Sequence, residues 1–386
     1  MFKKVCVIGE GLTSLIVTRM LLELDLKVDL ISENYHKKKN HSNRALAISQ
    51  SNIKYLDYLN IFEGKRNYKW NVCGISLFSV KENYNKNKIF NFNNKTKPLF
   101  IMIKNHDLHL ILKEKLKNSS LLQIYSQKKA RIVMRKIITN KNKYAESQYG
   151  LILNCDSHNI LNKKFFSKQI KKKYPTTAVI STLRHKKICN NVASQFFMPQ
   201  GPLAFLPLSN DATSVVWSIK NNYLSSNKKE NDNFFKNEIK KVTNNHLKEI
   251  NFSRINEYDL NFLISREYYH KNILNFGEGL HQIHPLAGQG LNMVIRDIKT
   301  LSGILKRNIE LGLDLTPVLL KDFSEASKSY NFLFAKSIDL AEKYFSIKNE
   351  LFSKLSDKLI KSVNKNFFLK DFLVNVADKG IDRLNY

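Results

Sequence analysis

The chain has 386 residues, and a composition of 43% hydrophobic and 25% charged residues excludes a wholly disordered, collagen-like or linker-rich protein. Lys and Arg number 63 against 33 Asp and Glu, a formal net charge of +30, which indicates either an anionic partner or a lysine-rich coding bias. Four cysteines without a CxxC pair predict neither a disulfide scaffold nor a zinc site and are typical of a reducing compartment.

The hydrophobic pattern predicts an α/β nucleotide-binding domain that an antiparallel sheet interrupts. Residues 4–8 and 27–32 are predicted strands, and apolar residues recur at helical spacing over 12–24 between them, which makes a βαβ unit. The later predicted elements are a helix at 49–62, an Asn- and Lys-rich hairpin at 83–97, a helix at 105–118, strands at 120–125 and 150–154, antiparallel strands at 176–182, 193–198 and 213–219, a solvated helix within 220–255, a strand at 272–276 and helices beyond 290. Pro199, Pro202 and Pro207 are expected at turns or sheet edges, because proline lacks the N–H that a central strand uses.

The first chemical motif is Gly9-Glu10-Gly11-Leu12-Thr13-Ser14, between the first strand and its helix. Gly9 allows a tight turn, Gly11 lets the backbone approach a pyrophosphate, and the helix N-terminus offers free amides to the phosphates. Glu33 follows the second strand, where a carboxylate can accept both hydroxyls of an adenosine ribose. The motif therefore predicts a dinucleotide site. The alternative is a plain turn, with Glu33 a solvated acid.

The second motif is the stretch 277–292, GEGLHQIHPLAGQGLN, which begins where a predicted strand ends. Its loop carries Pro285 and two glycines, and a helix is predicted to open at about Leu291. A second helix N-terminus with a glycine-rich approach can stabilise developing negative charge. His281 and His284 lie three residues apart without nearby carboxylate or cysteine ligands, so we predict no metal site.

This stretch resembles the Gly-Asp…Pro…Gly-Gln-Gly…Asn signature of class A flavin-dependent monooxygenases, in particular their ubiquinone-biosynthesis hydroxylase branch. Segments 44–49, 103–108 and 197–217 are similar to the same family, and the resemblance runs from residue 3 to about residue 380. It implies an α/β protein, α+β overall, with a Rossmann-like FAD-binding domain, an inserted antiparallel sheet for the substrate and C-terminal helices. The implied boundaries are 1–67, 101–173 and 266–317 for the FAD-binding domain, 68–100 and 174–265 for the substrate domain, and 318–386 for the helical region.

The resemblance also implies roles for individual residues. The backbone of Pro285, Gly288, Gln289 and Gly290 would line the isoalloxazine and stabilise the reduced flavin, without a side-chain acid or base. The cofactor-binding residues it implies are Gly9, Gly11, Leu12, Thr13, Ser14, Glu33, Arg44, Asn105, Asp156, Gly277, Glu278, Leu291 and Asn292. In such enzymes NADH or NADPH reduces FAD, O₂ adds at C4a, and the hydroperoxide hydroxylates an aromatic ring, here that of a polyprenylated phenol.

Three positions depart from the family pattern. Ser14 and Ser157 stand where the family has glycine, and Glu278 stands where it has aspartate. At Ser157 we expect strain of about 1 kcal/mol, because a Cβ crowds a turn that favours positive φ. These departures leave open a catalytically weakened flavoprotein kept as a scaffold of a biosynthetic complex. A flavin monooxygenase or reductase acting on another aromatic or isoprenoid substrate is a further alternative.

The expected partners are a hydrophobic, prenylated aromatic substrate and O₂. We expect no nucleic acid, because no nucleic-acid-binding module is recognisable. Segments within 318–376 interleave phenylalanines with lysines, and we expect them either to pack on the flavin domain or to contact an anionic membrane or another ubiquinone-pathway protein. Without a secretory signal or a long apolar run, the sequence predicts a cytoplasmic protein, free or resting on the inner face of the membrane. Trp217 and Phe205 are expected in the core or the wall of the pocket.

Overall fold

The computed structural model describes residues 4–32, 44–81, 83–94, 96–125, 131–133, 136–138, 149–243, 247–285 and 288–346. Its helices are α1 (Leu12–Glu23), α2 (Gln50–Tyr58), α3 (Asn105–Leu116), α4 (Ile160–Phe165), α5 (Lys228–Thr243), α6 (Gln289–Glu310) and α7 (Val318–Ser346). Its strands are β1 (Lys4–Ile8), β2 (Lys27–Ile31), β3 (Ala45–Ser49), β4 (Trp70–Val72), β5 (Gly74–Val80), β6 (Lys86–Asn93), β7 (Phe100–Lys104), β8 (Leu122–Tyr125), β9 (Arg131–Val133), β10 (Lys136–Ile138), β11 (Leu151–Asn154), β12 (Gln169–Arg184), β13 (Val192–Met198), β14 (Gly201–Ser209), β15 (Ala212–Lys220), β16 (Asn251–Phe252), β17 (Asn256–Ser265), β18 (Tyr269–His270), β19 (Ile273–Asn275) and β20 (His281–Gln282).

A six-stranded sheet, in the order β18-β19-β11-β1-β2-β8, forms the first layer. Its strands are parallel except β18, which pairs antiparallel with β19. The strands of this sheet are mostly apolar and buried because helices α1, α3 and α6 cover one face and α4 covers the other. The register places Ile8, Asn154 and Asn275 side by side, so the carboxyl ends of β1, β11 and β19 meet at one edge.

A second, largely antiparallel sheet has the order β20-β17-β12-β15-β14-β13-β5-β6, with β16 added beside β12. Helix α5 covers one of its faces, where Phe235 and Ile239 pack on Val215 and Trp217. The other face packs on the small β3-β7-β4 sheet and on α6 and α7. The second sheet is thus joined to the parallel sheet through β3, which comes after the first motif in the chain, and through α6, which opens at the end of the second motif.

The predicted fold class is confirmed, and the predicted βαβ unit forms as β1, α1 and β2. The expectation for two of the prolines was wrong, because Pro202 and Pro207 lie inside β14, a central strand. Each of them stands where β14 is paired on one side only. Pro202 pairs with β13 and Pro207 with β15, so neither position needs an N–H on its other side.

Trp217 and Phe205 both belong to the core under α5. Trp217 is fully buried, donates its indole N–H to the Gly201 carbonyl at 3.0 Å and stacks on Phe234. Their side chains therefore belong to the packed core on the side of the sheet opposite β3 and α6. Across the part of the chain that the structure describes, no helix is long and apolar enough to cross a membrane.

Candidate cofactor site

The turn between β1 and α1 leaves room above the N-terminus of the helix. Gly9 donates its N–H to the Ile31 carbonyl at 3.0 Å, which holds the turn against the end of β2. Gly11 is exposed, and a Cβ built there meets nothing within 4 Å. No described side chain caps α1, so its first amides are available to an anion. Ser14 is buried and donates its hydroxyl to the Gly11 carbonyl at 2.8 Å, so serine fits where a third glycine was expected.

The two motifs meet at Thr13 and Gly277. A short 3₁₀-helix, Gly277–Gly279, follows β19 directly and lies at the same edge as the first turn. Gly277 has φ +65°, and a Cβ there would stand 2.8 Å from Cγ2 of Thr13. Only glycine combines this left-handed backbone with so close an approach. Glu278 is exposed beside this contact, which brings its carboxylate to the edge where β1, β11 and β19 end.

The loop after Pro285 ends at Gly288, which begins α6. Gly288 has φ +64° and donates its N–H to the Pro285 carbonyl at 3.1 Å. A Cβ on Gly288 would lie 3.1 Å from Cβ of Ala47 on β3. No described side chain caps α6, and a Cβ on Gly290 would meet nothing within 4 Å, so these amides are also available. Gln289 is buried, and Leu291 is half-buried behind them.

Asn292 joins α6 to the elements of the arginine segment. Its Oδ1 accepts hydrogen bonds from the Ser49 N–H at 3.0 Å and from Nδ2 of Asn52 at 2.9 Å. Its Nδ2 donates to the carbonyls of Ala47 at 2.8 Å and Gly288 at 3.1 Å. The side chain is 2% exposed. The side-chain amide of Asn292 therefore ties the start of α6 to β3 and α2 through protein groups.

The other predicted residues approach the first turn from two sides. Arg44 is exposed, and its carbonyl accepts the Asn105 N–H at 2.8 Å at the start of α3. One turn further along α3, Nε2 of His109 contacts the Glu10 carbonyl at 3.1 Å. Asp156 follows β11, two residues beyond Asn154.

The turn after β11 at Asp156 and Ser157 differs from the prediction. The backbone strain expected at Ser157 is absent: the non-glycine residues described with positive φ are Asp25, Asn60, Tyr84, Glu249 and Lys271. The carboxylate of Asp156 instead accepts the His158 N–H at 2.9 Å and orders this turn without a glycine. Glu33 and residues 286–287 lie outside the described residues.

Several contacts at the site carry no local sequence signal. His109 and Ala47 lie on faces that resemble ordinary core in the sequence, and Asn52 resembles any polar residue of a short helix. Each becomes functional only through a partner distant in sequence, such as Asn292, 240 residues from Asn52. Among the described residues, no group of three or more His, Cys, Asp or Glu side chains could hold a metal ion.

His284 precedes the loop as a buried, neutral imidazole. It is 1% exposed and packs edge-on to the ring of Tyr174, with centroids 5.2 Å apart. Burial and nearby Lys172 lower the pKa of His284 from 6.5 to about 4, while Asp339 acts in the opposite direction. The imidazole is therefore uncharged at neutral pH.

The comparisons with known proteins agree with this geometry. Residues 149–310 match the family described as FAD binding domain. A p-nitrophenol 4-monooxygenase, PnpA from Pseudomonas putida, has the same fold, with a TM-score of 0.80, 13% identity and coverage of 98% of both chains. Klebsiella pneumoniae HpxO complexed with FAD and uric acid has a TM-score of 0.71 at 10% identity, covering 98% of this chain and 96% of that one. Part of the chain, residues 149–310, is therefore similar to an FAD binding domain.

Two relatives in sequence belong to ubiquinone biosynthesis. The ubiquinone biosynthesis monooxygenase COQ6 of Dictyostelium discoideum is 26% identical over 284 residues, covering 61% of this chain and 57% of the relative. The ubiquinone hydroxylase UbiL of Rhodospirillum rubrum is 28% identical over 179 residues, covering 45% and 41%. The chain spans about half the length of these relatives. The expected resemblance to FAD-dependent monooxygenases of ubiquinone biosynthesis is confirmed.

The residues of the site fit FAD. Two helix N-termini present amides without described side-chain caps, and the backbone at Gly11 and Gly290 stands beside open space that a Cβ would enter without contact. Such amides suit the pyrophosphate and the electron-rich edge of a reduced flavin. In an FAD complex we expect Gly11 and Glu278 at the pyrophosphate end and the loop from Pro285 to Gly290 at the isoalloxazine end.

Gly288→Ala tests the loop conformation. We expect a loss of roughly 1–2 kcal/mol in unfolding free energy, because alanine strains a left-handed residue and its Cβ presses on Ala47. FAD affinity should fall as well. The matched control is Gly303→Ala on the same helix, which meets nothing within 4 Å and should keep or raise stability. Urea denaturation and FAD titration measure both effects, and equal behaviour of the two variants would contradict the assignment.

His284→Gln tests the buried imidazole. The unfolded chain binds a proton at this side chain below pH 6.5, whereas the folded protein binds it only near pH 4. The stabilisation is therefore present above pH 6.5 and lost as the pH falls toward 4. Between pH 7 and pH 4 the wild-type protein should lose about 3 kcal/mol more unfolding free energy than the variant. His158→Gln, at an exposed histidine, should follow the wild-type curve; a His284→Gln curve that also does so would contradict the prediction.

Proposed function

We propose that this protein is an FAD-dependent monooxygenase that hydroxylates the aromatic ring of a polyprenylated phenol in ubiquinone biosynthesis, with NADH or NADPH as the reductant. The proposal rests on the contact of the two motifs at Thr13 and Gly277 and on the uncapped N-termini of α1 and α6, between which we infer a cofactor crevice. The relatives COQ6 and UbiL support the choice of pathway. FAD supplies the reaction of reducing equivalents with O₂, and the chain supplies binding, orientation and exclusion of water.

The second sheet offers an apolar face to this crevice. Side chains alternate along each strand, so the residues opposite the α5 core point toward β3. These include Phe197, Ala204, Leu206 and Val216, which are all half-buried. Leu206 packs in the same cluster as Ala47, the residue beside Gly288. A hydrophobic aromatic substrate fits between such a face and the loop from Pro285 to Gly290.

The alternative of a weakened scaffold protein loses support at two of its three motivating positions. Ser14 satisfies its hydroxyl within the first turn, and Ser157 adopts an unstrained conformation. Glu278 keeps its charge at the crevice. A flavin enzyme acting on another aromatic or isoprenoid substrate shares the same site, and substrate comparison separates it from the proposal.

Spectroscopy and turnover test the proposed function. The purified protein should be yellow, with the visible bands of oxidised FAD, and should oxidise NADH or NADPH faster when a polyprenylated phenol is added. Mass spectrometry should find one added oxygen atom in the product. A preparation that takes up no FAD would overturn the proposal. Turnover only with phenols that lack the prenyl chain would assign another aromatic substrate.

The matched variant for this test is Gly11→Leu. Its backbone has φ −85°, which any residue adopts, and its side chain would enter space that holds no protein atoms within 4 Å of Cβ. We expect normal circular dichroism and unfolding free energy but no FAD uptake, because the side chain occupies the pyrophosphate position. Gly303→Leu, on the exposed side of α6, is the control and should bind FAD normally.

We further propose that the protein contacts an anionic membrane through the C-terminal half of α7. Three large apolar side chains are exposed there, Phe332, Leu333 and Leu340, at 42%, 53% and 63%. Three lysines, Lys172, Lys336 and Lys343, stand around the same half-helix. The overall charge of +30 gives this contact long-range attraction. A prenylated substrate would reach the crevice from such a surface.

Vesicle sedimentation tests this contact. The protein should sediment with phosphatidylglycerol vesicles and much less with phosphatidylcholine vesicles. Leu333→Ser with Leu340→Ser should weaken binding, and Lys336→Gln should weaken it roughly fivefold. The control is Leu311→Ser with Leu313→Ser, which removes two equally exposed leucines from the loop between α6 and α7. Equal losses in both leucine pairs, or binding indifferent to lipid charge, would contradict a contact through α7.

A further inference from the structure

Four buried polar side chains form a network behind the second motif. Nε2 of His281 lies 2.7 Å from Oδ2 of Asp297. Nδ2 of Asn331 donates to Oδ1 of Asp297 at 2.9 Å and to the Tyr268 hydroxyl at 3.3 Å. His281 and Asp297 are each 3% exposed, and Asn331 and Tyr268 are each 1% exposed. We call these four residues the Asp297 network.

The Asp297 network joins elements that no backbone pairing joins. His281 is in β20, which pairs with β17 at the edge of the second sheet. Asp297 is on α6, two turns beyond the flavin loop, and Asn331 is on α7. His281 and Asp297 are 16 residues apart, and the whole loop from Pro285 to Gly290 lies between them. Their contact therefore closes the segment that carries the second motif.

The chemistry of the carboxylate fixes the direction of each hydrogen bond. A carboxylate oxygen accepts hydrogen bonds, so Nε2 of His281 donates to Oδ2 of Asp297 and Nδ2 of Asn331 donates to Oδ1. A carboxylate this deeply buried is costly unless both of its oxygens are satisfied. Burial raises the pKa of the Tyr268 phenol, and the nearby carboxylate of Asp297 raises it further, so the phenol remains protonated. Each carboxylate oxygen of Asp297 thus has a donor within the network.

We propose that Asp297 is a positioning residue that holds the Gly277–Gly279 turn and the start of α6 at the separation FAD requires, before the cofactor binds. The inference rests on the proposed FAD site and extends it to residues that touch no cofactor. Asp297 anchors β20, which directly follows the turn at the pyrophosphate end. It also belongs to the helix whose first amides lie at the isoalloxazine end. Losing one of its hydrogen bonds frees one end of the site relative to the other.

The test is a charge-relocation pair. Asp297→Asn keeps size but turns an N–H₂ toward one of two donors, and should weaken FAD binding on the order of tenfold. Adding Asn331→Asp moves the carboxylate across the same contact, so the amide introduced on α6 donates to it and still accepts from His281. We expect the double variant to regain most of the affinity. In FAD-free protein, amide exchange over 282–292 should quicken in the single variant and slow again in the double variant.

The matched control is Asp29→Asn. Asp29 is also fully buried and holds two partners, Lys4 at 2.8 Å and the Tyr149 hydroxyl, but lies in β2 away from the second motif. It should lower the unfolding free energy without changing FAD affinity or exchange over 282–292. If Asp297→Asn behaves like this control, or if the double variant gives no recovery, the positioning role is wrong. A wild-type protein that binds no FAD would instead overturn the proposed function, and the exchange result would still judge the Asp297 network.

Discussion

The approach of Gly277 to Thr13 is the constraint on which the site depends. The two residues are 264 positions apart, and a single β-carbon at Gly277 would collide with the threonine at 2.8 Å. The parallel register makes the approach possible, because β1 and β19 both flank β11 and end at the same level. That register fixes the positions of the two turns that follow β1 and β19. The sheet therefore builds the site, and the glycine permits the last contact.

The first turn of helix α6 and its later turns lie in different environments. Its first turn has no side-chain cap, so the first amides of the helix are available to a ligand. Its next turns are buried against both sheets through Met293, Val294 and Ile295. Asn292 lies between the uncapped first turn and the buried part of the helix. Its four hydrogen bonds fix the position of the loop relative to the packed helix. Amides held in this way need little reorganisation when charge develops beside them.

The sequence was sufficient for whatever depends on local spacing. The β1-α1-β2 unit, the glycine turns and the opening of α6 near Gly290 all follow from periodicity and punctuation within a few dozen residues. It was insufficient where a partner distant in the chain decides the outcome. Pro202 and Pro207 were expected at turns or sheet edges. The sequence does not show that β14 is paired on one side only at each of them, because that depends on where β13 and β15 end. The hydrogen bonds of the Asn292 side chain could not be predicted, because only the fold brings Ser49 and Asn52 to it. Ser157 was expected to be strained because the Asp156 turn that accommodates it cannot be seen in a glycine pattern.

The second sheet separates stability from recognition on its two faces. Trp217, Phe205 and Leu203 pack under α5, and their neighbours Val216, Ala204 and Leu206 on the same strands point to the opposite face, here called the crevice face after the proposed site. Because adjacent residues point to opposite faces, a change of side chain on the crevice face leaves the α5 core in contact. The crevice face is also only half-buried, so substitutions there cost less packing energy than substitutions under α5. Under the proposed function, a few positions on this face would therefore determine which aromatic substrate binds, without loss of packing under α5.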